Sequence, residues 1–108
     1  MTRVCKLFVC GALASLGAAL ILHLLLMAGR GGVWAGLIHL LLFGWISGCI
    51  FAVNYHTMPV FTGRSFPWPG GLAAHWAVWA AGVPAATAGL LGHRAGLYRL
   101  GLGLEWLS

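Results

Sequence analysis

Histidine is the residue type in this sequence best suited to chemistry, because its ring nitrogens bind metals and hydrogen-bond partners within otherwise apolar segments. Of the 108 residues, 61% are hydrophobic and 6% are charged. Five histidines interrupt this apolar chain: His23, His39, His56, His75 and His93. A ring nitrogen without a partner is unfavourable in hydrocarbon. Each histidine within an apolar segment therefore raises the question of what it binds.

The other polar residues exclude several classes of site. Glu105 is the one acidic residue, so the chain has no carboxylate pair for acid–base chemistry or for a calcium or magnesium site. Cys5, Cys10 and Cys49 are too few and too dispersed for a disulfide framework or a zinc site. The net charge of +5 comes from basic residues scattered singly between apolar runs. That pattern is typical of headgroup-level anchors and not of a nucleic-acid-binding surface.

Three apolar segments are long enough to hold these histidines within a membrane. The sequence predicts helices over residues 4–28, 33–56 and 71–91, each with the roughly 20 apolar residues that cross about 30 Å of hydrocarbon. Residues 95–108 are too short to span, and they either lie at the interface or open a fourth helix that stops early. The predicted fold class is all-α integral membrane, with three transmembrane helices and a short interfacial C-terminal segment in a single domain, 1–108.

Glycine and proline mark the predicted connections. Residues 30–32, Arg-Gly-Gly, predict a tight turn that makes the first two helices an antiparallel hairpin. Pro59, Pro67 and Pro69 predict that the second helix ends before them, and Pro84 predicts a kink in the third. Basic side chains divide evenly between the two sides, and the α-amino group tips the preference to an N-terminus inside. The expected location is a bacterial cytoplasmic (inner) membrane.

The histidines fall at matched depths in this arrangement. His23 lies five residues before the end of the first predicted helix, and His39 lies six residues after the start of the second. In an antiparallel hairpin both would lie within about 10 Å of the same membrane face, at 1.5 Å per residue. His56 and His75 form a second matched pair near the opposite face. His93 lies beyond the third helix.

Facing histidines on neighbouring helices are a known way to hold haem iron, since each supplies one axial nitrogen. We therefore predict His23 and His39 as ligands of haem b, with His56 and His75 as a second cofactor-binding pair. Aromatic side chains of the second helix would pack on the macrocycle: Phe43, Trp45 and Phe51.

A purely structural interpretation remains open. A histidine near a helix end is also expected as an interfacial residue that hydrogen-bonds water, lipid headgroups or backbone. Glycine-rich helix faces equally suit plain helix packing. Under this interpretation the chain holds no cofactor.

The run from Ile38 to Gly82 resembles helices II and III of the catalytic subunit of haem-copper oxidases, closest to the cbb3-type oxidases and the nitric oxide reductases. The features that carry the resemblance are His39, Phe43-Gly44-Trp45, Tyr55, Pro59, Gly63-Arg64, Trp76 and Trp79. The resemblance implies that His39 ligates a low-spin haem b, and that Arg64 is a cation able to pair with a haem propionate. That family's copper ligands and second haem histidine have no counterpart here, so no dioxygen-reducing centre is expected from these residues.

The combined prediction is a small membrane b-type haem protein, or an accessory subunit of a respiratory oxidase or nitric oxide reductase, that serves electron transfer. No catalytic residue is assigned, and the chain would act as a component of an oxidoreductase complex. One alternative is a cofactor-free structural or assembly subunit of a membrane complex. Another is haem or copper handling in oxidase biogenesis, with Met27, Met58 and the cysteines as soft ligands. The expected partners are the membrane, respiratory subunits or further copies of the chain, and not nucleic acid.

Overall fold

A computed structural model describes residues 2–108, which form four helices and no β-strand. The helices are α1 (Arg3–Met27), α2 (Gly31–Thr62), α3 (Pro69–Leu91) and α4 (Ala95–Leu107). The predicted all-helical fold is therefore confirmed.

Helices α1 and α2 are each long and apolar enough to cross a membrane, with 25 and 32 residues. They are the two helices within residues 2–108 that meet both criteria. Helix α1 begins where the Thr2 side-chain oxygen accepts a hydrogen bond from the Cys5 amide, which is a regular N-terminal cap. Gly29, with φ of 88°, makes the turn after α1 because glycine tolerates this left-handed conformation.

Helix α2 is longer than the sequence predicted. It begins at Gly31 and ends at Thr62, whereas the prediction placed its end at residue 56, before Pro59. That prediction was wrong because Pro59 removes one intrahelical hydrogen bond while the flanking turns remain intact. One of those turns is reinforced by the Thr62 hydroxyl, which donates to the Met58 carbonyl at 2.8 Å. The helix stops at Gly63, whose φ of 62° is left-handed.

A π-helical segment, Leu40–Ile46, interrupts α2 directly after His39. At its end the Ser47 amide donates to carbonyls other than that of Phe43. The Phe43 carbonyl instead accepts the indole N–H of Trp79 from α3, at 2.9 Å, and also the Ser47 hydroxyl. The irregular turn is therefore compensated by a side chain from the neighbouring helix. Such π segments occur frequently at functional sites.

The apolar core lies between α1, α2 and α3 and centres on Phe8, which is completely buried. Its ring centroid lies 5.2 to 5.7 Å from those of Phe51, Tyr55, His75 and Trp79. Aromatic rings at these separations attract one another beyond simple area burial. This cluster fixes the positions of α2 and α3 relative to α1.

Helix α3 begins at Pro69 rather than at residue 71, since a proline at the first helical position loses no intrahelical bond. Pro84 lies inside α3. One turn later the Thr87 hydroxyl donates to the Val83 carbonyl at 2.8 Å.

The C-terminal segment forms α4, which folds back along α3 in close backbone contact. Residues Ala95–Leu107 are helical, and whether this segment lies at a membrane interface stays a prediction. A Cβ atom added at Gly101 would lie 2.2 Å from the Ala86 nitrogen, and one added at Gly89 would lie 2.4 Å from the Tyr98 nitrogen. Glycine is therefore required at both positions for the two backbones to approach so closely.

Gly101→Ala should separate α4 from α3. The added methyl group meets rigid backbone, and overpacking of this kind typically lowers the free energy of unfolding by about 1–3 kcal/mol. Gly103→Ala is the matched control, because a Cβ there meets nothing within 4 Å. Both changes raise helix propensity equally, so the difference in stability between the two variants reports the α3–α4 contact alone. Thermal unfolding in detergent and limited proteolysis of α4 measure that difference. Equal unfolding temperatures and equal proteolysis rates of the two variants would contradict the close packing.

Candidate functional site

The candidate site is a buried contact between His39 of α2 and Glu105 of α4. The two side chains are 6% and 8% exposed, and Nε2 of His39 lies 2.7 Å from Oε1 of Glu105. The Nε2–H group donates to the carboxylate, which accepts. Phe43 stacks on the imidazole with ring centroids 4.9 Å apart. The contact therefore joins two helices through polar groups that are removed from water and lie 66 residues apart in sequence.

Close packing of α3 and α4 positions Glu105. A Cβ atom at Gly82 of α3 would lie 3.0 Å from both the Cγ and the backbone nitrogen of Glu105. The carboxylate extends from there to His39, while its second oxygen, Oε2, is buried without a hydrogen-bond partner among residues 2–108. Glu105 is not among the site residues predicted from the sequence. The sequence did indicate this residue, because an acidic side chain in an apolar segment is energetically unfavourable unless it has a partner or a functional role.

An open cleft of about 600 Å³ lies beside Glu105. This volume falls within the range of small-molecule sites. Most of its lining is aromatic or apolar, and Glu105 contributes the one charged side chain. The lining residues are Phe43, Ser47, Phe51, Trp79, Leu102, Glu105, Trp106 and Ser108.

A second polar cluster lies within the aromatic core. The Tyr55 hydroxyl hydrogen-bonds Nδ1 of His75, and the rings of Phe8 and Phe51 contact this imidazole. His75 Nε2 is buried without a partner among the described residues. The partner of His75 is therefore a tyrosine, where the sequence prediction paired it with His56.

The other predicted site residues lie at exposed positions. His23 is exposed on α1, His56 is exposed on α2, and Arg64 lies in the exposed loop that follows α2. Within residues 2–108, no hydrogen bond or ring contact joins His23 to His39 or His56 to His75. The haem-binding roles of these residues stay predictions.

The donor set for metals is sparse. Residues 2–108 contain no group of three or more His, Cys, Asp or Glu side chains that could hold a metal ion. Cys5 is buried, while Cys10 and Cys49 are exposed. The structure thus brings together one imidazole–carboxylate pair and one imidazole–phenol pair, each able to share a proton between its partners.

No protein-family model, no curated protein and no solved structure matches the chain. The resemblance to haem-copper oxidases therefore depends on the motif residues between Ile38 and Gly82 and stays a prediction.

The His39–Glu105 contact should be a major contributor to stability. Glu105→Ala leaves the buried Nε2–H of His39 without an acceptor, and breaking a buried pair in this way costs about 3 kcal/mol or more. His23→Ala is the control, since an exposed substitution changes the free energy of unfolding by about 0.5 kcal/mol or less. Denaturant titrations in detergent, followed by tryptophan fluorescence, compare the two.

A double variant measures the interaction energy between His39 and Glu105 apart from the other effects of each single substitution. Combining His39→Leu with Glu105→Ala should cost less than the sum of the two single changes, because neither polar group is then left alone. Strict additivity would show that the two side chains do not interact.

Proposed function

We propose that the chain is a small integral membrane subunit that associates with other chains of a membrane complex. The observation that carries this proposal is the internal pairing of two histidines, the buried His39 with Glu105 and the partly buried His75 with Tyr55. Such pairing gives one ring nitrogen of each imidazole a partner within the bundle, as a membrane environment favours. The two pairings thereby stabilise the chain's own fold.

The distribution of apolar surface supports a membrane location. Large apolar side chains point outward along both candidate spans, for example Ile21 and Leu24 on α1 and Val60 and Phe61 on α2. Lipid or partner helices cover such surfaces, whereas a water-soluble monomer rarely exposes them over so large an area. Helix α3, with 23 residues, would be the third span.

Helix α4 offers the surface most suited to a partner. Its 13 residues extend for about 20 Å, which is too short to cross a bilayer. Leu100 and Leu107 are 59% and 78% exposed. They are seven residues apart and therefore share one face of the helix, which we call the α4 outer face. The complex we propose is a respiratory oxidase or nitric oxide reductase, the class that the resemblance implies.

A photo-crosslinking amino acid at Leu107 should therefore link the chain to another protein in native membranes. The same probe at Leu24, on the outward side of α1, provides the comparison for contact with lipid. Discrete crosslinked bands at position 107, identified by mass spectrometry, are the expected result. If position 107 gives lipid adducts alone and the chain migrates as a monomer in native gels, the accessory-subunit proposal fails.

Haem b at His39 is the second candidate function. What favours it is the position of His39, buried beside a cleft whose walls include Phe43 and Phe51, two of the residues predicted to pack on a macrocycle. The present arrangement does not fit a bis-histidine site. His39 Nε2 is hydrogen-bonded to Glu105, and His23 is exposed. A haem ligated through this nitrogen would compete with Glu105.

A visible spectrum decides between the two candidates. We expect the purified full-length chain to be colourless and to remain so after haemin is added and excess is removed. A Soret band that is lost in His39→Ala and retained in His93→Ala would overturn the cofactor-free proposal and establish the haem site. The His93 variant is a suitable control because that residue is exposed and lies outside both buried clusters.

A further inference from the structure

The two carboxylate oxygens of Glu105 differ in that only one of them has a hydrogen-bond partner. Oε1 accepts the hydrogen bond from His39, whereas Oε2 is buried and has no partner among residues 2–108. More than nine-tenths of the side chain is buried, and it lines the open cleft. A carboxylate oxygen in this environment loses its hydration without compensation unless a donor or a cation approaches it.

Three other polar side chains of the cleft, those of Trp79, Ser47 and Ser108, already have partners within the fold. The Trp79 indole N–H donates to the Phe43 carbonyl at 2.9 Å, with the Ser47 oxygen at 3.1 Å. The Ser47 hydroxyl donates to that same carbonyl, and the Ser108 hydroxyl donates to the backbone carbonyl of Glu105 at 2.6 Å. Among the side-chain oxygens of the lining residues, Oε2 of Glu105 is thus the one that is buried without a hydrogen-bond partner.

The walls of the cleft are aromatic. Phe43, Phe51, Trp79 and Trp106 all line it, and Trp106 is 92% exposed at its edge. Aromatic faces attract cations, and the attraction strengthens where water is excluded. A cleft lined by a carboxylate and by aromatic rings is therefore complementary to a positively charged nitrogen on an apolar body.

We propose that this cleft binds hydrophobic organic amines in their protonated form. The ammonium N–H donates to Oε2 of Glu105, the charge lies against the aromatic faces, and the apolar body occupies the cleft. A neutral hydroxyl ligand such as a quinol would also donate to Oε2, yet it would gain nothing from the ring faces or from the negative charge. The proposal does not depend on membrane partners or on haem, because it uses Oε2 and not the His39 nitrogen.

The test uses a matched pair of probes, 4-phenylbutylamine and 4-phenylbutanol, which share a body and differ in charge. Binding to the full chain in nanodiscs is measured by calorimetry, with empty nanodiscs subtracted to remove partition into lipid. We expect the amine to bind at least about tenfold more tightly than the alcohol, as charge-assisted hydrogen bonds are stronger than neutral ones. Equal affinities, or a preference for the alcohol, would overturn the proposal.

Two variants locate the site. Glu105→Gln retains the shape of the side chain and should abolish the preference for the amine. Trp106→Leu removes one aromatic face and should weaken amine binding several-fold. Trp68→Leu, at an exposed position outside the cleft, should leave amine binding unchanged. Because Trp106 contributes little to the buried core, that variant decides the matter even if Glu105→Gln fails to fold. Unchanged amine binding in Trp106→Leu would place the probe elsewhere and refute the assignment.

Discussion

A buried imidazole and a buried carboxylate that lie within hydrogen-bond distance constrain the architecture of this protein more than any other contact. Neither His39 nor Glu105 tolerates apolar surroundings alone, so each requires the other. Since they lie on α2 and α4, the contact can form only if α4 returns along α3 toward the middle of α2. Glycine at position 101 then follows as a necessity, because any larger residue would separate the two helices, and glycine at position 82 keeps α3 in close contact with Glu105.

The irregular turn of α2 belongs to the same region. His39 is the last regular residue before the π segment, and the carbonyl of Phe43 within that segment is capped by Trp79. Without that indole, the Phe43 carbonyl would lose its hydrogen bond from α3, at a cost that apolar surroundings increase. Trp79 also packs on Phe8, so one side chain links the aromatic core to the polar contact. Local irregularity and tertiary packing are thus mutually dependent.

The sequence predicted where the helices lie along the chain better than it predicted which face of each helix is buried. Long apolar runs predicted helices, and the helices are present. Matching histidines by depth used only distance along each helix axis. Rotation about the axis decides which side chains are buried, and it places His23 outward and His39 inward. That rotation depends on packing and, in α2, on a π segment that no regular helical period would indicate.

Glu105 illustrates a different limit. Its unfavourable position could be predicted from composition, because a lone acid in an apolar segment requires a partner. The identity of the partner could not be predicted, since it depends on the α3–α4 hairpin. The 13 residues of α4 are too few for the sequence to distinguish a packed helix from an interfacial one. The structure supplies that partner for only one of the two carboxylate oxygens. Packing fixes the carboxylate before any ligand arrives, so a cation at Oε2 would bind without an ordering cost. Oε1 of the same carboxylate hydrogen-bonds His39. A ligand at Oε2 would therefore stabilise the α2–α4 contact only if it binds more tightly when that contact is formed than when it is broken.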